Sequence, residues 1–443
     1  MSCIADNSKS YICIGLYFFF TGLTNTIILP TVNGYLISLD APNGFLGAVV
    51  ASFSLTGLIS APVFGFITDK TQSLRLCLIV SALIEIAGNF MYFVGTSYSM
   101  LCIARLVAGI GSGAASSVLG VVSRTTSLGK RTSVISVLTA LRKFGVAIAP
   151  SFNIILHNVN GRMGLLSINQ FSSPGLVMTG AWTIHLLLLT VLFKDSGTNT
   201  RQNASEVKYQ QATNENESEL LLTEDIHNGS LLKHKLNLKQ FMREEVIICI
   251  SANCIFVVVF NGLETAATPL TLLYFNWDSL YNSYMFFAAG FCVLISYVVL
   301  GKLSNRFSDR TFLLLGCVGS TISYSLITVC SFIFVLNENI ETPHSVLPLV
   351  CLSIFFLGVS LPFVLVSITS LFSKITDLEN QGFNQGILLV SRGIGLILGP
   401  IWGSSLATRS RMPVLGSVDL TLILFMTALI CMSFKKLVPN TQQ

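Results

Sequence analysis

The sequence predicts an all-α membrane protein, with twelve transmembrane helices in two pseudo-symmetric six-helix halves. Three observations carry that prediction. The 443 residues are 52% hydrophobic and only 11% charged, against about 25% charged in a typical soluble protein. Apolar runs of roughly 20 residues, long enough to cross a ~30 Å hydrocarbon core, recur along almost the whole length. Finally, the chain contains one stretch twice. TSLGKRTSVISVLTALRKFGVAIAP, from Thr126 to Pro150, returns 250 residues later as TDLENQGFNQGILLVSRGIGLILGP, from Thr376 to Pro400. Without a gap, Thr126, Leu128, Leu138, Arg142, Gly145 and Pro150 recur as Thr376, Leu378, Leu388, Arg392, Gly395 and Pro400. A repeat of this length outranks local motifs in assigning architecture. Each copy reads as a polar loop, an apolar helix holding one arginine, and a Gly-xxx-(Ala/Gly)-Pro break.

In order, the predicted spans are about 11–37, 44–67, 74–96, 98–122, 132–157 and 174–193, then 245–275, 281–304, 311–336, 346–372, 383–405 and 413–434. The first is too long and too poorly flanked for a cleavable signal peptide. Residues 1–193 form the first half and 245–443 the second. Between them, residues 194–244 are rich in Asn, Gln, Ser and Glu and bury too little apolar surface to fold alone, which suits a flexible linker. Orientation follows from the basic residues. With both termini cytosolic, that side receives Lys9, Lys70, Arg75, Arg124, Lys130, Arg131, the linker's seven, Lys302, Arg306, Arg310, Lys374, Lys435 and Lys436. The other side receives Arg162, Arg409 and Arg411, a split of 19 to 3. The eleven cysteines stand singly, most of them inside spans, and suit apolar packing better than disulfides or metal.

Two further patterns set the helix contacts. Gly65-Phe-Ile-Thr-Asp69-Lys70, between spans 2 and 3, is echoed between spans 8 and 9 by Gly301, Asn305, Arg306 and Asp309 with Arg310. A glycine permits close helix approach, and an acid or amide four residues on, with basic neighbours, can bond helix ends and act as a gate. A tight turn with ordinary positive-inside charge is the alternative. In span 4, Arg105, Gly109 and Gly113 share one helical face, with Gly111 between them. A nucleotide loop is excluded there because no strand precedes it and the spacing is GxGxG.

Together the Gly-xxx-Asp/Asn-(Lys/Arg) loops, the Arg-xxx-Gly-x-Gly helix and the Gly-xxx-(Ala/Gly)-Pro segments resemble the signature motifs of the major facilitator superfamily. Two stretches, from Gly47 to Leu55 and from Val258 through Asn261, Glu264 and Thr268-Pro269 to Thr271, resemble its lysosomal domain-containing-8 branch, the one linked to neuronal ceroid lipofuscinosis. The resemblance implies a late endosomal or lysosomal membrane and either transport or anion conduction. Two features depart from the pattern. Gln72-Ser73 stands where the first loop signature has a later glycine, and only about ten residues precede span 1, where a sorting signal is expected.

Charges inside spans cost on the order of 2.5–3.5 kcal/mol each on insertion scales and therefore mark function or a polar interior. Arg142 lies about ten residues, or ~15 Å, into span 5, near the midplane, and Arg392 takes the matching place in span 11. Substrate sites of such repeats lie at the midplane, so this pair could clamp an anionic group from both sides, guanidinium suiting carboxylate, sulfate or phosphate. Pairing with acids that merely holds helices together is the alternative. Lys143, next round the helix, and Arg105 are further candidates. Glu85 and Glu264 are the two acids read as deep. Glu85 suits neutralising Arg105 or Arg142. Glu264, between Asn261-Gly262 and Thr268-Pro269, sits in a breakable segment and could take a proton. His185 suits packing with a hydrogen bond. Four deep basic residues against two acidic favour an anion. No Walker loop, nucleophilic triad, metal-ligand cluster or nucleic-acid motif is present, so neither an enzyme nor an ATP-driven pump is expected, and no cofactor.

In the linker, Glu217-Ser-Glu-Leu-Leu221-Leu222 has the acid-xxx-Leu-Leu form of an endolysosomal sorting signal. Three glycosylation sequons, at Asn203, Asn216 and Asn228, would be silent on a cytosolic linker. The expectation is a secondary transporter of a small, anionic solute, with protons as a second partner, in an endolysosomal bilayer. A channel-like anion (chloride) pathway through the same cavity and a non-transporting sensor or scaffold are the alternatives.

Overall fold

Inside a bilayer every backbone N–H and C=O needs a partner within the protein, and this chain supplies them with helices. A computed structural model describes residues 8–42, 44–71, 73–125, 128–163, 166–193, 241–303, 306–336, 346–376 and 381–437. Span 1 comprises Ser8–Thr26 and Leu29–Ser38, bent by 44° at the break. Spans 2 and 3 are Phe45–Thr71 and Leu74–Val94; span 4 is Tyr98–Ser112 followed by Ala115–Thr125. Spans 5 and 6 are Leu128–Leu156 and Ser173–Leu192. The second six are Glu244–Phe275, Ser279–Leu303, Asp309–Leu336, Leu347–Ile375, Gln381–Leu406 and Met412–Met432, here spans 7 to 12. A two-stranded hairpin, Gly161–Met163 against Leu166–Ile168, joins spans 5 and 6. It is a small addition to the helical expectation. Serine caps start spans 3 and 4: Ser73 accepts from the Leu76 N–H and Ser97 from the Met100 N–H, both at 3.2 Å. The linker, with Glu217, Leu221 and Leu222, falls almost wholly outside the described residues, as does Asn305.

The contacts repeat in pairs. Span 1 packs on span 5 as span 7 packs on span 11, and span 4 packs on spans 2 and 3 as span 10 packs on spans 8 and 9. Span 6 lies against spans 3 and 1 as span 12 lies against spans 9 and 7. Between the halves, span 2 meets span 11 and span 5 meets span 8. This is the pseudo-two-fold that the sequence repeat predicts.

Small residues make these pairings close, as expected where lipid supplies no hydrophobic drive between helices. A Cβ on Gly109 or Gly113 would overlap Phe53, Thr56 or Ser60 of span 2. On Gly145 it would overlap the Phe19 carbonyl of span 1. On Gly395 and Gly399 it would come 2.8 Å from Val257 and 2.6 Å from the Val258 carbonyl of span 7. Gly65 and Gly301 differ. Among the described residues no atom lies within 4 Å of where their Cβ would stand, so the close approach expected of them is not seen there.

The helix breaks also fall elsewhere than the sequence suggests. Spans 5 and 11 run on past Pro150 and Pro400, and span 7 is one unbroken helix through Asn261, Gly262 and Pro269. Packed neighbours hold these segments helical despite the missing proline N–H. The true break lies in span 1 ahead of Pro30, which cannot donate to the Thr26 carbonyl. There Asn153 of span 5 donates its Nδ2–H to the Ile27 carbonyl at 2.5 Å, and the Ile28 carbonyl accepts from the N–H groups of Thr31 and Val32. In the register of the repeat, Asn153 corresponds to Gly403, whose Cα side presses directly onto the Gly262 carbonyl. One half thus inserts an amide where the helix opens, and the other closes the gap with glycine where it stays straight.

Gly403→Ala should therefore lower thermal stability, by about 1–3 kcal/mol for overpacking. Gly65→Ala and Gly301→Ala should leave stability unchanged or raise it by up to about 1 kcal/mol through helix propensity. Thermal unfolding of the purified variants in detergent reads the contrast.

Candidate functional site

The seam between the halves is closed at one end. At the face opposite the basic residues, Gly47 abuts Pro400, Ile401 and Ser404, and Ser404 donates its hydroxyl to the Gly44 carbonyl at 3.1 Å. Ser279 donates to Gln170 at 2.8 Å beside them. At mid-membrane Leu58 fills the surface of Gly393, and Gly290 lies 2.8 Å, measured from a Cβ position, from the Ala147 carbonyl. Towards the basic face no described atom lies within 4 Å of a Cβ position on Gly65, Gly301 or Gly386. Arg392 adjoins Gly393 on span 11, and Arg142 and Lys143 stand one turn before Ala147 on span 5.

Three cations meet there across the two halves. Lys143 acts electrostatically on Arg142 beside it and on Arg392 and Glu264 of the other half, and the two arginines act on each other. Arg142 and Lys143 have no hydrogen-bond or ion-pair partner among the described residues. Arg392 is held from behind. One Nη2 donates to Asn253 Oδ1 of span 7 at 3.4 Å and to Thr369 Oγ1 of span 10 at 3.3 Å, while its Nε is buried and unpartnered. Asn253 is itself fixed, donating to the Leu388 carbonyl at 3.1 Å and Ser391 Oγ at 2.9 Å. Tyr17, bonded to the carbonyls of Gly111 and Ser112, and Tyr297 stand near Arg142 and Arg392. Like charges gathered in a low-dielectric space repel. Among the described residues Glu264 is the only acid acting on them, which leaves two positive charges in excess.

The other predicted charges go elsewhere. Arg105 is 2% exposed inside the first half, donating Nη1–H to the Thr24 carbonyl at 3.0 Å with its guanidinium over the Phe53 ring at 4.4 Å. Glu85 is fully buried beside it, taking Asn89 Nδ2–H at 3.1 Å, with its second oxygen unpartnered. Neither reaches the seam. His185 is buried, its Nε2–H given to the Cys13 carbonyl at 3.0 Å. Asn261 spends its amide on its own helix, on the Val257 carbonyl. The tally of deep acids needs correction. Asp419 lies in span 12 at 1% exposure, giving three deep acids rather than two. Its place in an apolar run was a visible signal, as was that of Asn253. Thr369 carried none, since a threonine in a span ordinarily bonds its own helix, as this one also does with Leu365.

Of the predicted gate residues, Asp309 does join helix ends. It accepts from Ser370 Oγ at 2.7 Å and Lys374 Nζ at 2.6 Å, tying span 9 to span 10 within the second half. Arg310 lies over the Phe434 ring, while Lys70 and Arg306 are exposed. Asp69 belongs to the last turns of span 2, which is helical where a loop was expected, and its side chain is outside the described set.

Comparison with known proteins agrees with this architecture. The chain is 25% identical to Major facilitator superfamily domain-containing protein 8 of Xenopus laevis, over 96% of this chain and 90% of that one. In three dimensions it resembles a D-xylose-proton symporter at 15% identity, with a TM-score of 0.69 over 94% of this chain and 96% of the other. It also resembles a bacterial homologue of the human lysosomal transporter Spinster at 10% identity, with a TM-score of 0.67 over 96% of both chains. The model of the Major Facilitator Superfamily matches residues 14–400, and this multi-pass membrane protein belongs to that family of transporters.

Proposed function

We propose that the protein is a secondary transporter of a small anionic solute, which binds between Arg142 and Lys143 of the first half and Arg392 of the second. One observation carries this reading. Three cations from two halves share one space at mid-membrane, and two of them have no hydrogen-bond or ion-pair partner among the described residues. Such a cluster is costly when empty and is relieved by an anion. The site spans both halves at mid-membrane, so a rocking motion of the halves would present it to either side. Glu264, facing Lys143, is the group through which a proton could enter the same balance. Arg105 and Glu85 would act behind the site by fixing spans 1, 3 and 4. The likeness to domain-containing protein 8 supports an endolysosomal membrane, the distribution of basic residues supports a cytosolic basic face with both termini on it, and the acid-xxx-Leu-Leu segment ending at Leu221 and Leu222 would be the address.

Reconstituted in liposomes, the protein should take up one organic or inorganic anion saturably, and Arg142→Gln or Arg392→Gln should each reduce that flux roughly tenfold to a hundredfold, as expected for a charge-assisted contact of ~1.5–3 kcal/mol. Wild-type flux in both variants would remove the site. An unsaturated current that follows the chloride gradient and disappears in the same variants would replace carrier with channel.

Replacing Leu221 and Leu222 together by alanine should move most of the protein to the cell surface, scored by surface biotinylation. Unchanged intracellular residence would retire that segment as a sorting signal.

A further inference from the structure

A second polar set lies in the half of the protein that holds Arg392, away from the seam. Asp419 of span 12 accepts the Trp402 indole N–H of span 11 on Oδ1 at 3.0 Å. Its Oδ2 is buried with no partner, and the hydroxyl of Tyr324 in span 9, at 0% exposure, is equally unpartnered. The packing of spans 9 and 12 brings the two to one level. Gly416 meets Thr328 on one side, and Thr321 meets Thr427 at 3.5 Å on the other. In that antiparallel register Tyr324 and Asp419 stand within about one turn of each other. Tyr324 feels the charges of both Asp419 and Glu264, the latter from span 7. Among the described residues no basic side chain acts on Asp419. Span 11 offers it the indole, span 9 the phenol and span 7, through Tyr324, another acid.

A carboxylate buried in a membrane without a cation is strongly disfavoured, and one indole N–H does not replace its hydration. The Oδ2 of Asp419 has a base's lone pairs, and at the same level of span 9 the Tyr324 hydroxyl is buried and likewise without a hydrogen bond. We propose that Asp419 and Tyr324 form a proton-binding site of the second half, coupled through the Tyr324 hydroxyl to Glu264 at the seam. One proton adds to Oδ2 of Asp419 and no other bond changes. When it leaves, the negative charge acts on Tyr324, on which Glu264 of the seam also acts. The site has no counterpart in the first half: in the helix alignment of span 6 with span 12, Gly180 stands opposite Asp419, and a Cβ there would meet nothing within 4 Å. The inference stands whatever solute the seam carries.

The test is infrared spectroscopy of the full-length protein in lipid, following the protonated-carboxyl C=O band with pH. Asp419→Asn should lose one such band, and Tyr324→Phe, which keeps the ring and its packing, should shift that band's frequency. Glu264→Gln should move the titration midpoint of the Asp419 band to lower pH, since a neighbouring negative charge that favours protonation is gone. An unaltered band in Asp419→Asn would overturn the site. If that variant does not fold, an unshifted band in Tyr324→Phe would do so. A midpoint unchanged by Glu264→Gln would overturn the coupling.

Discussion

Uncompensated positive charge at mid-membrane is the constraint on which the rest of this structure depends. Arg142, Lys143 and Arg392 are placed where each costs energy, and one acid, Glu264, acts on the group. The protein does not remove that cost within itself. It holds Arg392 by Asn253 and Thr369, both neutral, and among the described residues Arg142 and Lys143 have no hydrogen-bond or ion-pair partner. Contrast Arg105, where a carbonyl, an aromatic face and the nearby Glu85 surround the guanidinium inside one half. The same residue type is thus structural in one place and available to a ligand in another, and its distance from the seam separates the two.

The packing exists to hold those charges at fixed depth. Spans 1 and 7 lie so close to spans 5 and 11 that glycines at 22, 145, 395, 399 and 403 face backbone atoms directly. Close backbone contact fixes register, and register fixes where residues 142 and 392 stand. Where the halves face each other the contact is lighter, and among the described residues it runs through Gly47, Ser404, Leu58 and Gly290. Strong packing within halves and lighter packing between them suits a machine whose halves move as bodies.

The architecture was legible in the sequence because repeats and apolar runs are one-dimensional signals. The matched arginines were legible because a charge in an apolar run is conspicuous at any position. The helix breaks were not. Gly and Pro mark what the backbone could do, and tertiary contact decides: Pro150, Pro269 and Pro400 sit in continuous helices, while Pro30 opens one. Nor could the sequence tell that Asn153 and Gly403, equivalent by repeat, would treat the facing carbonyls of span 1 and span 7 so differently. Gly65 and Gly301 carried a packing signature, yet no described atom lies within 4 Å of a Cβ position on either. Asp419 was in plain view but outside the repeated segment, and attention to the repeat passed over it.

The central claim is that one anion is held jointly by the two halves. It is tested most directly by a double-mutant cycle on anion-dependent thermal stabilisation of the purified protein, with sulfate, chloride and small carboxylates as probes. Joint binding predicts that Arg142→Gln and Arg392→Gln each remove the stabilisation given by the effective anion, and that combining them removes no more. Full stabilisation in either single variant, or strictly additive losses, would place the anion elsewhere and leave the paired arginines without their proposed role.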